Sequence, residues 1–296
     1  MNQFRTQPSA RNLAAALLGL TAALLFSPAL LAQEASDTAA ATNPSQAEHA
    51  FRWAGEELYF SVRLNGVEAM RTGVRAGDVR YKEGHPYVAV SGTAQSAGIF
   101  HSIYPVNDRA DTYLNPQTLR PLRSEKFFDE AGNVRSYHVD FIHSTYQAKV
   151  VKTRKEKKTR KFTKPIPGTT HDMITWFYEL RSRRDLEVGE RMSFYVYDGW
   201  KLYRLDATVA KLEDVYTPLG WFKTYRIDFQ RETLRTKRKK GGSPLLTVSN
   251  PAEPSGSLWI SRDENLIPVK VAIATQWGLG EALLMKYKLP SRYRDE

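Results

Sequence analysis

The chain has 296 residues, 43 of them basic and 32 acidic, for a net charge of +11, and it contains no cysteine. That excludes a disulfide framework, a thiolate metal site and a catalytic thiol, and leaves no cysteine to lipidate. At the usual ~100–200 residues per domain, the length allows one large domain or two small ones.

Residues 1–32 read as a secretory signal peptide. Arg5 and Arg11 form a basic start, Leu13 to Phe26 is apolar, Pro28 breaks the run, and Ala32 is a small residue suited to cleavage. The run is shorter than the ~20 residues of a membrane-spanning helix, which favours removal over anchoring. Residues 33–50 are small and polar without periodicity, as in a flexible leader. Residues 51–296 then form a single β-rich domain, and the chain after Ala32 carries 41 basic against 32 acidic residues, a net +9. The expected location is periplasmic or secreted. A basic protein there is not expected to bind nucleic acid; an anionic membrane surface or an acidic polymer suits it better.

From Phe51 onward the pattern has mostly a period of two. Leu58, Phe60 and Val62 share a face ahead of Asn65-Gly66, and an aromatic run precedes Asp198-Gly199. Asn-Gly and Asp-Gly between apolar runs mark hairpins, because both turn positions take positive φ. Tyr137, Val139 and Phe141 alternate, as do Tyr225, Ile227 and Phe229, and further strands follow at "GSLWIS", "IPVKVAIATQW" and "GEALLMKYKL". The absence of a βαβ rhythm argues against a parallel nucleotide-binding sheet. The predicted fold is mainly β: an antiparallel curved sheet or barrel of about a dozen strands wrapped around one central α-helix. That helix is expected over 171–184, "HDMITWFYELRSRR". Met173, Trp176, Phe177 and Leu180 form one apolar line, Ile174 and Tyr178 a second, Thr170 or Asp172 caps the start, and Arg181, Arg183 and Arg184 complement the dipole at the end.

These landmarks, in this order, resemble the bacterial family DUF3108. The matching stretches are "GEELYFSV", "DRADTYLNPQTLRPLRSEK", "HDMITWFYELR", "VYDGWKLYRLDATV" and "GSLWISRDENLIPVKVAIATQWGLGEALL". The resemblance implies an exported β architecture and transfers no active-site residues. There is also a general likeness in form to the curved-sheet carriers of lipids and lipoproteins in the periplasm.

Candidate sites are few. The histidines, at 49, 85, 101, 138, 143 and 171, show no metal-ligand spacing, and no serine-nucleophile signature occurs. No metal, cofactor or catalytic residue is expected. His138 and Asp140 share a strand face from which His143 points away, and Asp108, Asp111 and Asp140 are carboxylates that could meet in space. In an interior not completely filled, Phe60, Trp176, Phe177, Phe229 and Trp259 would line an apolar pocket for an acyl chain. Nine of the sixteen residues from Lys149 to Lys164 are Lys or Arg, and "RTKRKKGG" at 235–242 is a second basic cluster. Lys155, Lys157, Lys158, Arg160 and Lys161, with Lys237, Arg238, Lys239 and Lys240, are candidates for docking an anionic surface. The plainer reading is a lysine-rich hairpin that blocks edge pairing. The expected function is therefore a non-enzymatic envelope protein that binds or carries a hydrophobic or amphipathic ligand. The alternatives are an accessory protein docking acidic partners through its basic hairpins, and a hydrolase of envelope polymers.

Overall fold

The structure, a computed structural model, describes residues 51–291 apart from 156, 241, 276 and 277. The signal peptide and leader read from the sequence lie outside the described residues. The first half carries strands β1 (Glu57–Leu64), β2 (Val67–Lys82), β3 (His85–Ser96), β4 (Asn107–Leu114), β5 (Pro121–Glu130), β6 (Asn133–Ile142), β7 (Gln147–Arg154) and β8 (Lys157–Pro165). The second half carries β9 (Thr170–His171), β10 (Arg191–Tyr197), β11 (Leu202–Thr217), β12 (Gly220–Lys237), β13 (Leu245–Ser261), β14 (Pro268–Thr275) and β15 (Gly278–Lys288). Two helices interrupt them, α1 (Gly98–Ile103) and α2 (Thr175–Ser182).

All fifteen strands belong to one sheet, in the order β8-β7-β6-β5-β4-β3-β2-β1-β15-β14-β13-β12-β11-β10-β9. Every neighbouring pair is antiparallel except β9 and β10. The sheet is not closed: among the described residues no ladder joins its edge strands β8 and β9. Instead its ends are drawn together by packing. Val139, Phe141, Val150 and Ile166 from one end form a cluster with Tyr197, Leu202 and Leu234 from the other.

Among the described residues the expected dozen or so strands become fifteen, and the one expected helix becomes two. Strands β4 and β5 hide their period because one face is charged. Arg109 and Asp111 face the same side as Arg123 and Glu125, while Ala110 and Thr112 face inward with Ser124. The Asn65-Gly66 turn has both φ values positive, 49° and 85°. At Asp198-Gly199 only the glycine is positive, at 87°. There a four-residue connection runs from 198 to 201, with Asp198 Oδ1 accepting both the Trp200 and Lys201 N–H groups at 2.6 Å. A sheet this strongly curved brings backbones close. An added Cβ at Gly256 would lie 2.2 Å from the Ala272 carbonyl oxygen, and its φ of 144° also calls for glycine.

Helix α2 is shorter than the predicted 171–184, and its two apolar lines go to different cores. Trp176 and Leu180 are buried in the largest cluster, with Met173 and Phe177 partly buried against it. Ile174 and Tyr178 join Phe51, Trp53 and the β2–β4 side chains in a second cluster. Asp172 starts the helix by accepting the Ile174 and Thr175 N–H groups at 3.0 and 2.8 Å. Thr170 instead donates to the Pro167 carbonyl. Asp172→Ala is expected to cost about 1–2 kcal/mol, read as a lower denaturation midpoint at unchanged slope.

Candidate functional site

The five predicted aromatics fall in one cluster. Phe60, Trp176, Phe229 and Trp259 are buried in it and Phe177 packs against it. The Trp176 ring lies 5.5 Å from Phe177, 6.0 Å from Phe194 and 6.4 Å from Phe229. Trp259, buried in the same cluster, pairs with Arg226 and Lys270, on the strand face opposite Leu258 and Ile227. Both cations lie over its ring, at 5.5 and 5.0 Å, and its Nε1–H donates to Glu213.

The histidines and carboxylates divide between the two faces. On the convex face His138 lies 3.3 Å from both Glu125 and Asp140, and Asp140 also takes Arg123 at 2.8 Å. Those two carboxylates raise His138 to about 9. Asp111 shares this face and accepts from Ser91 at 2.6 Å. Asp108 faces inward and is buried, so the three aspartates do not meet. His143 bonds the Gly168 and Pro121 carbonyls, away from His138. Burial pushes His171 down to about 4.

The basic residues have a more telling arrangement. Strands β7 and β12 run in the same direction, by alternation through the antiparallel ladders, so their C-terminal ends lie at the same end of the sheet. The β7–β8 turn and the β12–β13 connection therefore share that end. The sheet's curl then brings β8 and β12 within 8 Å between Cα atoms, with Phe162 packing on the cluster that holds Leu234. Lys155, Lys157, Lys158, Arg160 and Lys161 are exposed, as are Lys237, Arg238, Lys239 and Lys240. None of the nine makes an ion pair with a described residue. Two clusters about 75 residues apart in sequence thus stand at one end of the molecule.

The β10–β11 turn locks this end. Lys126 Nζ donates to the Asp198 carbonyl at 3.1 Å, and Lys152 Nζ lies 3.6 Å from the Trp200 ring centre and 4.5 Å from that of Tyr137. Burial, with Arg154, Arg135 and Arg160 nearby, pushes Lys152 down to about 8. The concave wall is thus already crowded with positive charge. Sequence reasoning missed Lys126 and Lys152 as anchors, since buried lysines carry no local signature.

At the opposite end lies a cleft of about 400 Å³, lined by Arg52, Arg184, Tyr225, Arg262, Asp263, Glu264 and Leu266. None of the predicted pocket residues lines it. It sits beside the C-terminus of α2, where Arg181 does more than complement the helix dipole. Arg181 is fully buried, bonded bidentately to Glu56 at 2.6 and 2.7 Å and to the Leu266 and Asn265 carbonyls.

No curated protein matches the chain. Among solved structures, it is similar to a β-barrel-like protein of domain of unknown function DUF1849 from Brucella abortus. That likeness has 9% identity and a TM-score of 0.48, and covers 81% of this chain and 99% of that one. A protein with a YmcC-like fold from Bacteroides fragilis aligns at 9% identity and a TM-score of 0.33, over 79% of this chain and 96% of that one. The sequence itself matches the protein family of unknown function DUF3108 over residues 59–285, and the chain belongs to that family.

Proposed function

We propose that the chain is an exported, non-enzymatic docking protein whose basic end holds an acidic polymer of the cell envelope. The observation that carries this reading is that the 155–161 and 237–240 clusters stand at the same end of the sheet, where strands β8 and β12 approach each other. Strand β8 is also an edge strand, so its outer backbone groups are open to an extended partner as well as its lysines. Its exposed side chains are Lys, Arg and Thr, which suits charge pairing rather than insertion into lipid. Export rests on the basic start, apolar run and Ala32 of the N-terminus.

The rival readings have weaker support. Carriage of an acyl chain needs space where Trp176, Phe194 and Phe229 already touch. A hydrolase would need free acid–base groups, and among the described residues the His138–Glu125–Asp140 constellation is engaged with Arg123 on the convex face.

The test is retention of the full chain on immobilised polyglutamate through a salt titration. Changing Lys155, Lys157, Lys158, Arg160, Lys237, Arg238, Lys239 and Lys240 to Ser is expected to weaken low-salt binding by at least ~100-fold and flatten its salt dependence, since each basic residue beside an anionic surface contributes up to about 1 kcal/mol. Binding within threefold of the unaltered protein would overturn the proposal.

A further inference from the structure

The geometry points to a second docking site at the end opposite the basic clusters: a lipid-interface arm at the β11–β12 tip, with an arginine cleft at its base that takes the phosphate of an anionic phospholipid headgroup. This site owes nothing to the basic end and stands or falls separately.

The arm exists because its neighbours stop short. Strand β10 pairs with β11 only as far as Thr208, and β13 pairs with β12 only from Thr224 onward. The ribbon of about residues 210–223 therefore projects beyond both flanking strands. Beyond the bulge near Val209, the pairs Leu212↔Tyr225, Asp214↔Lys223 and Tyr216↔Trp221 share one face of this ribbon. Val215 and Phe222 occupy the other face and pack on the core. Trp221 is 72% exposed and Tyr216 61%, with their ring centres 5.3 Å apart, and Leu219 at the tip is 42% exposed. So large an aromatic pair left in water on an ordered ribbon calls for a partner. Tryptophan and tyrosine are the residues that settle at the headgroup level of a bilayer, with an apolar ring and a polar edge.

The base of the arm supplies the matching charge. Tyr225, on the same face as Trp221, lines the 400 Å³ cleft, and Arg262 lies 5.7 Å over its ring. Arg262 is tied to the arm by its N–H bond to the Lys223 carbonyl at 2.9 Å. Arg184 supplies a second exposed guanidinium at the cleft, Arg52 lines it from below while donating to the Arg181 carbonyl, and Lys223 is exposed on the way to it. Guanidinium is the side chain suited to bidentate capture of phosphate. Asp263 and Glu264 also line the cleft, but Asp263 Oδ1 is turned into its own loop, accepting the Asn265 and Leu266 N–H groups. The aromatic tip and the arginines thus present the two chemistries of one lipid surface, apolar interface and phosphate, side by side.

The experiment is vesicle binding by the full chain. Equimolar phosphatidylglycerol and phosphatidylcholine is compared with phosphatidylcholine alone, using acyl-brominated lipid to quench tryptophan fluorescence. The protein is expected to bind the anionic vesicles preferentially, and the part of the quenching due to Trp221 should vanish in Trp221→Ser. Arg184→Gln with Arg262→Gln should weaken binding to the anionic vesicles by roughly tenfold or more while leaving that to phosphatidylcholine unchanged. Circular dichroism and the melting temperature confirm that both variants fold. The eightfold serine variant of the basic end should bind these vesicles as the unaltered protein does; if that variant alone loses binding, the membrane contact belongs to the basic end and the present site is refuted. Equal quenching with and without Trp221, or indifference to both arginines, overturns it as well.

Discussion

Replacing Arg181 with methionine is expected to remove about 3–5 kcal/mol of stability, a large share of the ~5–15 kcal/mol that holds a typical domain. The side chain is fully buried, and its partner Glu56 is 2% exposed. Without the guanidinium, the Glu56 carboxylate stays in the interior with no countercharge, and the Leu266 and Asn265 carbonyls lose their donors. The second half of the expectation is more diagnostic. Joining Arg181→Met to Glu56→Leu should recover most of the loss, because the penalty comes from the orphaned charge rather than from the absent attraction. Urea unfolding of the two single variants and the double variant decides it. Single losses below ~1 kcal/mol would mean that water reaches the pair.

Arg181 also shows where the sequence stops being readable. An arginine in the last turn of a helix looks like a dipole-complementing surface cation. What buries it is the segment before β1, which brings Glu56 alongside from 125 residues away. The two apolar lines of α2 were legible because both are local, and so was the Asn65-Gly66 hairpin. The exposed arm was invisible in principle. Tyr216 and Trp221 sit in ordinary alternating strands, and only the early ends of β10 and β13 leave them uncovered. Each basic cluster could be seen alone, yet their meeting depends on the order and curl of the strands between them.

Those same constraints give the molecule two unlike ends. Because the strands alternate, the basic turns gather at one end, while the aromatic arm and arginine cleft gather at the other. A protein of this shape is suited to bridging. On the two proposals above, one end would grip an acidic polymer and the other would rest on lipid, with the sheet as a rigid spacer. Bridging needs the spacer to hold its shape, which makes the buried charge of its interior a functional concern as well as a structural one.

Stability is expected to fall as pH rises from about 4 towards 8, with Asp108 as the main cause. Its side chain is 1% exposed. Burial first, and then the charge of Glu130, push it up to about 8, against the help of the Asp129 N–H bond at 3.0 Å. Arg135, which meets Glu130 at 2.8 Å, offsets the rise only in part. An unfolded aspartate titrates near 3.9, so between the two values the folded chain holds a proton that the unfolded chain has released. Stability from this group is thus complete below about 4 and is lost as pH climbs to the folded value, by on the order of 5 kcal/mol. His138, raised to about 9, adds a loss of the same sign above its ordinary value, completed at higher pH. Asp108→Asn cannot ionise and keeps an acceptor for the Asp129 N–H. His171, held near 4, works the other way and adds stability as pH rises towards its ordinary value, while Glu130, raised by burial, adds a further loss; both, with His138, are common to the two proteins. The melting temperature should therefore fall more between pH 5 and 8 in the unaltered protein than in Asp108→Asn. Superimposable profiles would mean that Asp108 is hydrated and ionised in the folded state.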